Sequence, residues 1–299
     1  MAVNLELYRI FYSVARAGSM TQASRELFIS QPAVTQSIKQ LEKELGGRLF
    51  IRGSRGITLT QEGELLVKYV ERALDQLKSG ERRFSEMLNL DRGQINIGAS
   101  DSICKYYLLY YLDVFHEAYP NLEIHVTNRT TRETIQLLKN GEVDIGFVNL
   151  PIENDPQLTI IPCMTINDCF VAGPKYFDHV SKIKNLETLT NYPLLLLEKA
   201  SNTRQKLDEY FKSRNILLKP AVELGSLDLL IEFSRIGLGI ACITEQFILE
   251  ELKNGVLRKV ELDEQLPQRA IGLVHMNNVP ISLAAERFMK IVLPTLPAE

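Results

Sequence analysis

Between Gln31 and Leu45, apolar residues recur at helical spacing: Val34, Ile38, Leu41 and Leu45. Intervals of four, three and four place them in one stripe along a helix, facing a core. At about 100° per residue, the opposite face carries Pro32, Gln36, Lys39, Gln40 and Lys43, with Thr35 on its flank. No acidic residue falls on that outer face. Ser30 is placed to cap the helix, and Pro32 lies in the first turn, where its missing N–H costs nothing. Just upstream, Ser19 opens a shorter helix, and Gln22 is spaced to complete a capping box. Downstream, Leu49 to Thr60 reads as two short strands around Gly53-Ser54-Arg55-Gly56. Two capped helices separated by a short turn, then a basic hairpin, predict a winged helix-turn-helix over residues 1–60.

From Gln61 to about Leu90 the pattern is continuously helical, with Thr60 as N-cap. Leu66, Val70, Ala73, Leu77, Phe84 and Met87 fit a heptad seam, with Gly80 in the remaining slot. Such a seam calls for a partner helix, either in a second copy or in the chain's own domain. Beyond Asp91-Arg92-Gly93 the pattern alternates strand and helix twice over. Strands are expected at Gln94–Ala99, Leu122–Thr127, Val143–Asn149, Asp168–Ala172, Pro193–Leu197, Ala221–Leu224, 237–243, Val256–Leu262 and Ala270–His275. Helices are expected at Tyr106–Tyr119, Thr131–Asn140, Thr203–Asn215, Ser226–Ile236 and Ser282–Leu293. Alternation of this kind predicts an α/β body with mostly parallel sheets. In such a body, ligands bind at strand C-termini and helix N-termini. Three segments sit there: Ser100-Asp101-Ser102, Asn128-Arg129-Thr130-Thr131 and Ser201-Asn202-Thr203. Each residue also reads as an ordinary cap or turn residue.

Charge separates the head from the body. The chain holds 34 basic and 37 acidic residues; residues 1–60 hold eight and four of them, leaving 26 and 33 for the rest. A basic head on an acidic body predicts that the head alone meets a polyanion. Near the N-terminus of the second helix, Gln31, Thr35 and Gln36 are candidates for reading base edges, because glutamine pairs adenine bidentately and a threonine methyl meets the thymine methyl. Pro32 shares that face. Lys39 and Lys43, with Arg52 and Arg55 on the hairpin, suit phosphates.

The segment Leu5 to Gly63 resembles the N-terminal domain of LysR-type transcriptional regulators. The resemblance is carried in order by Leu5–Ala15, Gly18-Ser19, A-S-x-x-L at Ala23–Leu27, S-Q-P-A at Ser30–Ala33 and I-x-x-L-E at Ile38–Glu42. It continues through Leu45-Gly46, L-F-x-R at Leu49–Arg52 and T-x-x-G at Thr60–Gly63. The family often has arginine at the position of Gln36. The resemblance implies a winged helix-turn-helix, a linker/dimerisation helix at 61–90 and a two-lobed effector domain of periplasmic-binding-protein-like architecture. Its first lobe would comprise 91–163 and 267–299 and its second 164–266, with crossovers near Cys163 and Pro267. It also implies effector contacts at Ser100–Ser102 and Ser201–Thr203, with Phe147-Val148-Asn149 as a further wall. The partners implied are double-stranded promoter DNA, RNA polymerase, a small-molecule effector and further copies of the chain, as a dimer or a pair of dimers.

Other features limit the alternatives. The N-terminus carries Glu6, Arg9 and Arg16 in an amphipathic pattern, unlike a signal peptide. No apolar run approaches the roughly 18 residues of a membrane span, so a cytoplasmic protein without membrane contact is expected. Cys104, Cys163, Cys169 and Cys242 are scattered without C-x-x-C or paired-histidine spacing, and no metal or cofactor is called for. Some members of the family sense peroxide through a cysteine pair, but this chain has Ser201-Asn202-Thr203 where the reactive cysteine would stand. A transport solute-binding protein would lack the basic head. An enzyme would need a nucleophile–base pair or metal cluster, and none of His116, His125, His179 or His275 sits in such a motif. The polar ends of the strands favour a small anion as effector.

Overall fold

A computed structural model describes residues 3–53, 56–88 and 93–293. The chain divides into two compact units, Met1–Phe84 and Ser85–Glu299.

The first unit opens with α1 (Leu5–Ala17), α2 (Met20–Glu26) and α3 (Gln31–Leu45). Their boundaries follow from capping chemistry. Asn4, Ser19 and Ser30 each accept a backbone N–H of the first turn, and Gly18 and Gly46 close α1 and α3 in the left-handed conformation. The Ser19 capping box is only half formed: Gln22 N–H reaches Ser19 Oγ, while its side chain donates to Glu26 instead. Strands β1 (Phe50–Gly53) and β2 (Gly56–Leu59) pair antiparallel as the wing. Phe11, Val14, Val34, Ile38, Leu41 and Phe50 share one buried core. Leu45 departs from the expected stripe and is 42% exposed, at the last residue of α3.

Helix α4 (Gln61–Leu88) begins at Thr60, whose Oγ1 accepts Gly63 N–H at 3.0 Å and donates to Arg48 O at 2.8 Å. The heptad seam divides here. Leu66 and Val70 join the head's own core, together with Val67 and Leu74. Leu65, Tyr69, Leu77 and Phe84 remain exposed. The side chain of Met87 and residues 89–92 lie outside the described residues.

The second unit contains, among the described residues, two five-stranded sheets. The first has the order β4-β3-β5-β12-β6 and the second β11-β7-β10-β8-β9. The first sheet comprises β3 (Gln94–Ala99), β4 (Glu123–Asn128), β5 (Ile145–Leu150), β6 (Leu158–Ile166) and β12 (Arg269–Met276). Strands β4, β3 and β5 are parallel, and β12 runs antiparallel between β5 and β6. The second sheet comprises β7 (Asp168–Ala172), β8 (Leu194–Leu197), β9 (Pro220–Leu224), β10 (Ile240–Thr244) and β11 (Arg258–Lys259). Strands β10, β8 and β9 are parallel there.

Connecting the strands are α5 (Asp101–Ile103), a π-helical turn (Cys104–Leu108) and α6 (Leu109–Ala118), then α7 (Thr131–Asn140), α8 (Phe177–Val180) and α9 (Leu186–Leu189). They are followed by α10 (Asn202–Lys212), α11 (Leu227–Arg235), α12 (Leu249–Lys253) and α13 (Leu283–Val292). One core runs through both sheets, from Ile97 and Phe147 to Leu195, Leu230 and Ala241.

Several expectations need correction. The sheets are mixed rather than mostly parallel, since β12 and β7 run antiparallel to their neighbours. The helix expected from Tyr106 begins at Asp101, directly after β3. Strand β6 is absent from the expected set; Pro162 interrupts its pattern, but the strand lies at a sheet edge and shifts register opposite Gly272, where proline is tolerated. It also carries the first sheet to Ile166, past Cys163, so the chain changes sheets at Asn167 and returns at Arg269. The strand expected over Val256–Leu262 contracts to β11.

Candidate nucleic-acid interface and candidate effector pocket

In the head, α3 presents Gln31, Pro32, Gln36, Lys39 and Lys43 to solvent, with Thr35 half-buried beside them. The orientation has a local cause. Ile29 and Val34, which flank the Ser30 cap, both enter the core and act as a hydrophobic staple that fixes the entry of the chain. Gln31 Nε2 donates to Thr35 Oγ1 at 3.1 Å, so the two candidate base-reading side chains are already aligned. Gln40 is turned aside, donating to Glu44 Oε1 at 2.9 Å. Glu42 faces the other way: its Oε1 accepts Leu49 N–H at 2.8 Å and Phe50 N–H at 3.4 Å, pinning the wing to α3. The side chain of Arg52, and Arg55 altogether, lie outside the described residues.

The pattern gave no warning of Phe28. It stands in the turn between α2 and α3 with φ at 55°, and its side chain is 94% exposed. A left-handed backbone and a bare phenyl ring both cost free energy. The nearest sequence signal is the staple itself, since turning Ile29 inward leaves its neighbour outside.

In the second unit, a pocket of about 400 Å³ opens at the C-terminal ends of β3, β4, β5, β8 and β9. Ser100, Asp101, Ser102, Arg129, Thr130 and Thr131 line it from the first sheet, and Ser201, Asn202 and Thr203 from the second. The three segments singled out in the sequence therefore meet in one cavity. Asn128, Glu133, Asn149, Leu197, Glu198 and Gly225 complete much of the wall.

Phe147 and Val148 do not reach it. Both faces of β5 are covered, so Phe147 packs between Tyr107 and Phe288, and Val148 packs with Leu138, Val143 and Val274. The end of the strand supplies Asn149 instead.

Several polar groups are already engaged. Thr130 and Glu133 form a closed capping box: Thr130 Oγ1 donates to Glu133 Oε2 at 2.6 Å, and Thr130 N–H to the same oxygen at 3.0 Å. The Thr130 hydroxyl and backbone bonds hold the Glu133 carboxyl below the usual range. Ser201 Oγ accepts Arg204 N–H, as a cap should. Ser100 makes no cap bond, and its Oγ lies 3.3 Å from Ser102 Oγ. Asp101 accepts the side-chain amide of Asn128, and the backbone carbonyl oxygen of Asn128 accepts Arg129 Nη1 at 2.7 Å. Lys105, four residues on from Asp101, pairs with Asp228 at 2.9 Å. Among the described lining residues, Asp101, Glu133 and Glu198 are acidic and Arg129 is basic.

Helix α10 is fixed from behind by Arg204, which is buried. Its Nε donates to Asp208 at 2.9 Å, and its Nη1 to Leu197 O at 2.8 Å and Glu223 at 3.0 Å. Sequence reading missed this arginine because its charge suggested a surface position.

The thiols sit in apolar surroundings. Burial raises Cys104 to about 11 and Cys169 to about 12, and it pushes Cys163 and Cys242 upward as well. Each shift disfavours the reactive thiolate. Among the described residues, no group of three or more His, Cys, Asp or Glu side chains could hold a metal, and no helix is long and apolar enough to cross a membrane.

Comparison with known proteins covers both units. The family model described as bacterial regulatory helix-turn-helix protein, lysR family, matches residues 5–64, and that described as LysR substrate binding domain matches residues 89–297. A probable RuBisCO transcriptional regulator of Nostoc sp. (strain PCC 7120) is 30% identical over 97% of this chain and 88% of its own length. The HTH-type transcriptional regulator GltR of Bacillus subtilis (strain 168) is 27% identical over 96% and 95%. Among solved structures, full-length CbnR complexed with its target DNA aligns with a TM-score of 0.70 at 18% identity, covering 98% of this chain and all of that one (100%). CrgA from Neisseria meningitidis aligns at 0.57 and 20% identity over 99% and 100%. These two show the same fold.

Proposed function

This chain belongs to the LysR family of DNA-binding transcriptional regulators, and from that premise we propose that it reads promoter DNA through α3 and senses a small anion in the pocket between its two sheets. The observation that carries the reading is the convergence of Ser100–Ser102, Arg129–Thr131 and Ser201–Thr203 on one cavity.

On the head, Gln31, Thr35 and Gln36 read base edges beside Pro32, while Lys39, Lys43, Arg52 and Arg55 take phosphates. The complex of full-length CbnR with its target DNA supports this use of the shared fold. The exposed stripe of Leu65, Tyr69, Leu77 and Phe84 supports a dimer through α4, and a pair of dimers places recognition helices in successive major grooves. Leu77→Glu should then shift the chain toward monomer in sedimentation.

In the body, first-turn N–H groups of α7 and α10 and the Arg129 guanidinium favour an anion. Against an anion stand the carboxylates of Asp101, Glu133 and Glu198; Asn128 and Thr130 hydrogen-bond the first two. Ligand binding biases the orientation of the two lobes, and so the spacing of the heads and the access of RNA polymerase to the promoter. A thermal-shift screen of small organic and inorganic anions, beside amines of similar size, tests the pocket on the full chain. At least one anion should raise the melting temperature by mass action, and Thr203→Ala should remove that rise. Stabilisation by amines alone would overturn the anion reading.

A further inference from the structure

Where the chain changes sheets, both crossovers pass one buried guanidinium. Arg269 opens β12 on the return to the first sheet, and Asp168 opens β7 on entry to the second. Arg269 Nε and Nη2 donate to Asp168 Oδ2 and Oδ1 at 2.6 and 2.7 Å. Nη2 also donates to Thr244 Oγ1 at 3.3 Å, at the end of β10. Nη1 donates to Asn149 Oδ1 at 2.9 Å. The side chains of Arg269 and Asp168 are 4% and 7% exposed. Desolvating two charges is expensive, and an apolar pair of similar volume would often hold the fold as well. The fork–carboxylate geometry offers what an apolar pair lacks, a fixed direction.

The direction leads to the pocket. Asn149 bonds Arg269 through its side chain and both pocket walls through its backbone. Its N–H donates to Thr131 Oγ1 at 3.3 Å, and its carbonyl accepts Asn202 Nδ2 at 2.6 Å. Thr131 opens α7 beside the first sheet, and Asn202 opens α10 beside the second. A displacement of either helix start acts on Asn149. From there only one side-chain bond separates the pocket wall from an ion pair spanning the two crossovers.

We propose that Arg269 is a positioning residue that couples the pocket to the crossovers through Asn149. Closure around a ligand moves Asn202 and Thr131, Asn149 follows, and Arg269 passes the shift to Asp168 and Thr244 in the second sheet. The proposal rests on the reading of this cavity as the effector pocket, but its test needs no ligand.

Asn149→Ala is the informative variant. It removes the bond to Arg269 while keeping the ion pair and both backbone contacts of residue 149. Amide hydrogen exchange on the full chain reports local opening. Asn202→Ala, a disturbance at the pocket, should speed exchange of peptides spanning 166–169 and 268–271 about fivefold, the scale of one neutral hydrogen bond. In the Asn149→Ala background the same substitution should change them by less than about twofold, the departure from additivity that marks coupling. Equal acceleration in both backgrounds, or none in either, overturns the coupling.

Arg269→Lys keeps the charge and loses the fork. It should speed exchange at 202–205 about tenfold. A lower melting temperature with unchanged exchange at 202–205 would mark Arg269 as a brace and overturn the proposal. A ligand screen that finds no binder would count against the pocket's function and leave these exchange rates as they are.

Discussion

Asn202 Nδ2 donates to the carbonyl oxygen of Asn149 at 2.6 Å, which joins the start of α10 on the second sheet to the end of β5 on the first. Asn202→Ala should lower the stability of the folded chain by about 1 kcal/mol, the worth of one neutral hydrogen bond. Asn202→Asp should cost more, about 2 kcal/mol, because it sets a carboxylate against a carbonyl. Urea denaturation at neutral pH compares them, and equal stability of the two variants would contradict the contact.

On α3 the two polar classes should separate in DNA binding. Gln36→Ala should narrow the gap between operator and random DNA by about 1–3 kcal/mol, the scale of a bidentate base contact. Lys39→Ala should weaken both alike and flatten the salt dependence by about one unit. Fluorescence anisotropy across a salt series measures both. A selective loss from Lys39→Ala would reverse the assignment.

Gly63 has no room for a side chain. A Cβ there would stand 2.3 Å from the carbonyl oxygen of Leu49, a backbone atom at the base of the wing. Gly63→Ala must push α4 or the wing aside, at a cost of about 1–3 kcal/mol. Thermal melting should show that loss, and a variant as stable as the parent would mean that the approach is looser.

Tyr106 and Asp228 form a latch between the two halves of the second unit. The Tyr106 hydroxyl donates to Asp228 Oδ1 at 2.6 Å, and its ring stacks on Phe247 at 4.6 Å. Burial works against the charge of Asp228, but Tyr106 and Lys105 outweigh it and hold the carboxyl below its ordinary value. Burial, with the bond to Asp228, raises Tyr106 to about 12. The depressed carboxyl gives stability that is present above about pH 4 and lost as pH falls through its folded value. The raised phenol gives stability present below about pH 10 and lost as pH climbs toward 12. With part of the group exposed, the latch is worth about 1 kcal/mol. Melting temperature against pH should show that alkaline loss shrink in Tyr106→Phe. An identical alkaline limb would exclude the latch.

Much of this is legible in the sequence alone, for reasons that differ by region. Helix α3 is bounded correctly because Ser30, Pro32 and Gly46 are local signals acting within a turn of the residue they affect. The three pocket segments can be found because caps and strand ends are local too. What stays hidden depends on distant partners. Phe147 reads like Asn149 in sequence, and only Phe288 and Tyr107 show that it is core. Strand β6 forms because β12 lies beside it, despite Pro162. The α4 heptad is one periodic pattern, but Leu66 and Val70 serve the head while Leu77 and Phe84 do not. Periodicity identifies a buried stripe without naming what buries it. Arg269 pairs with Asp168 in another strand, and Arg204 with Glu223 in β9 as well as Asp208 in its own helix, so no local pattern marks them as buried.

The central claim is that the outward face of α3 reads DNA sequence. Selection from a random pool of duplex DNA, run in parallel with the full chain and its Gln36→Ala variant, tests it most directly. The parent should enrich two related half-sites about one helical turn apart, and the variant should lose preference at a base pair within each half-site. No enriched motif with the parent, or the same motif from both proteins, would contradict it.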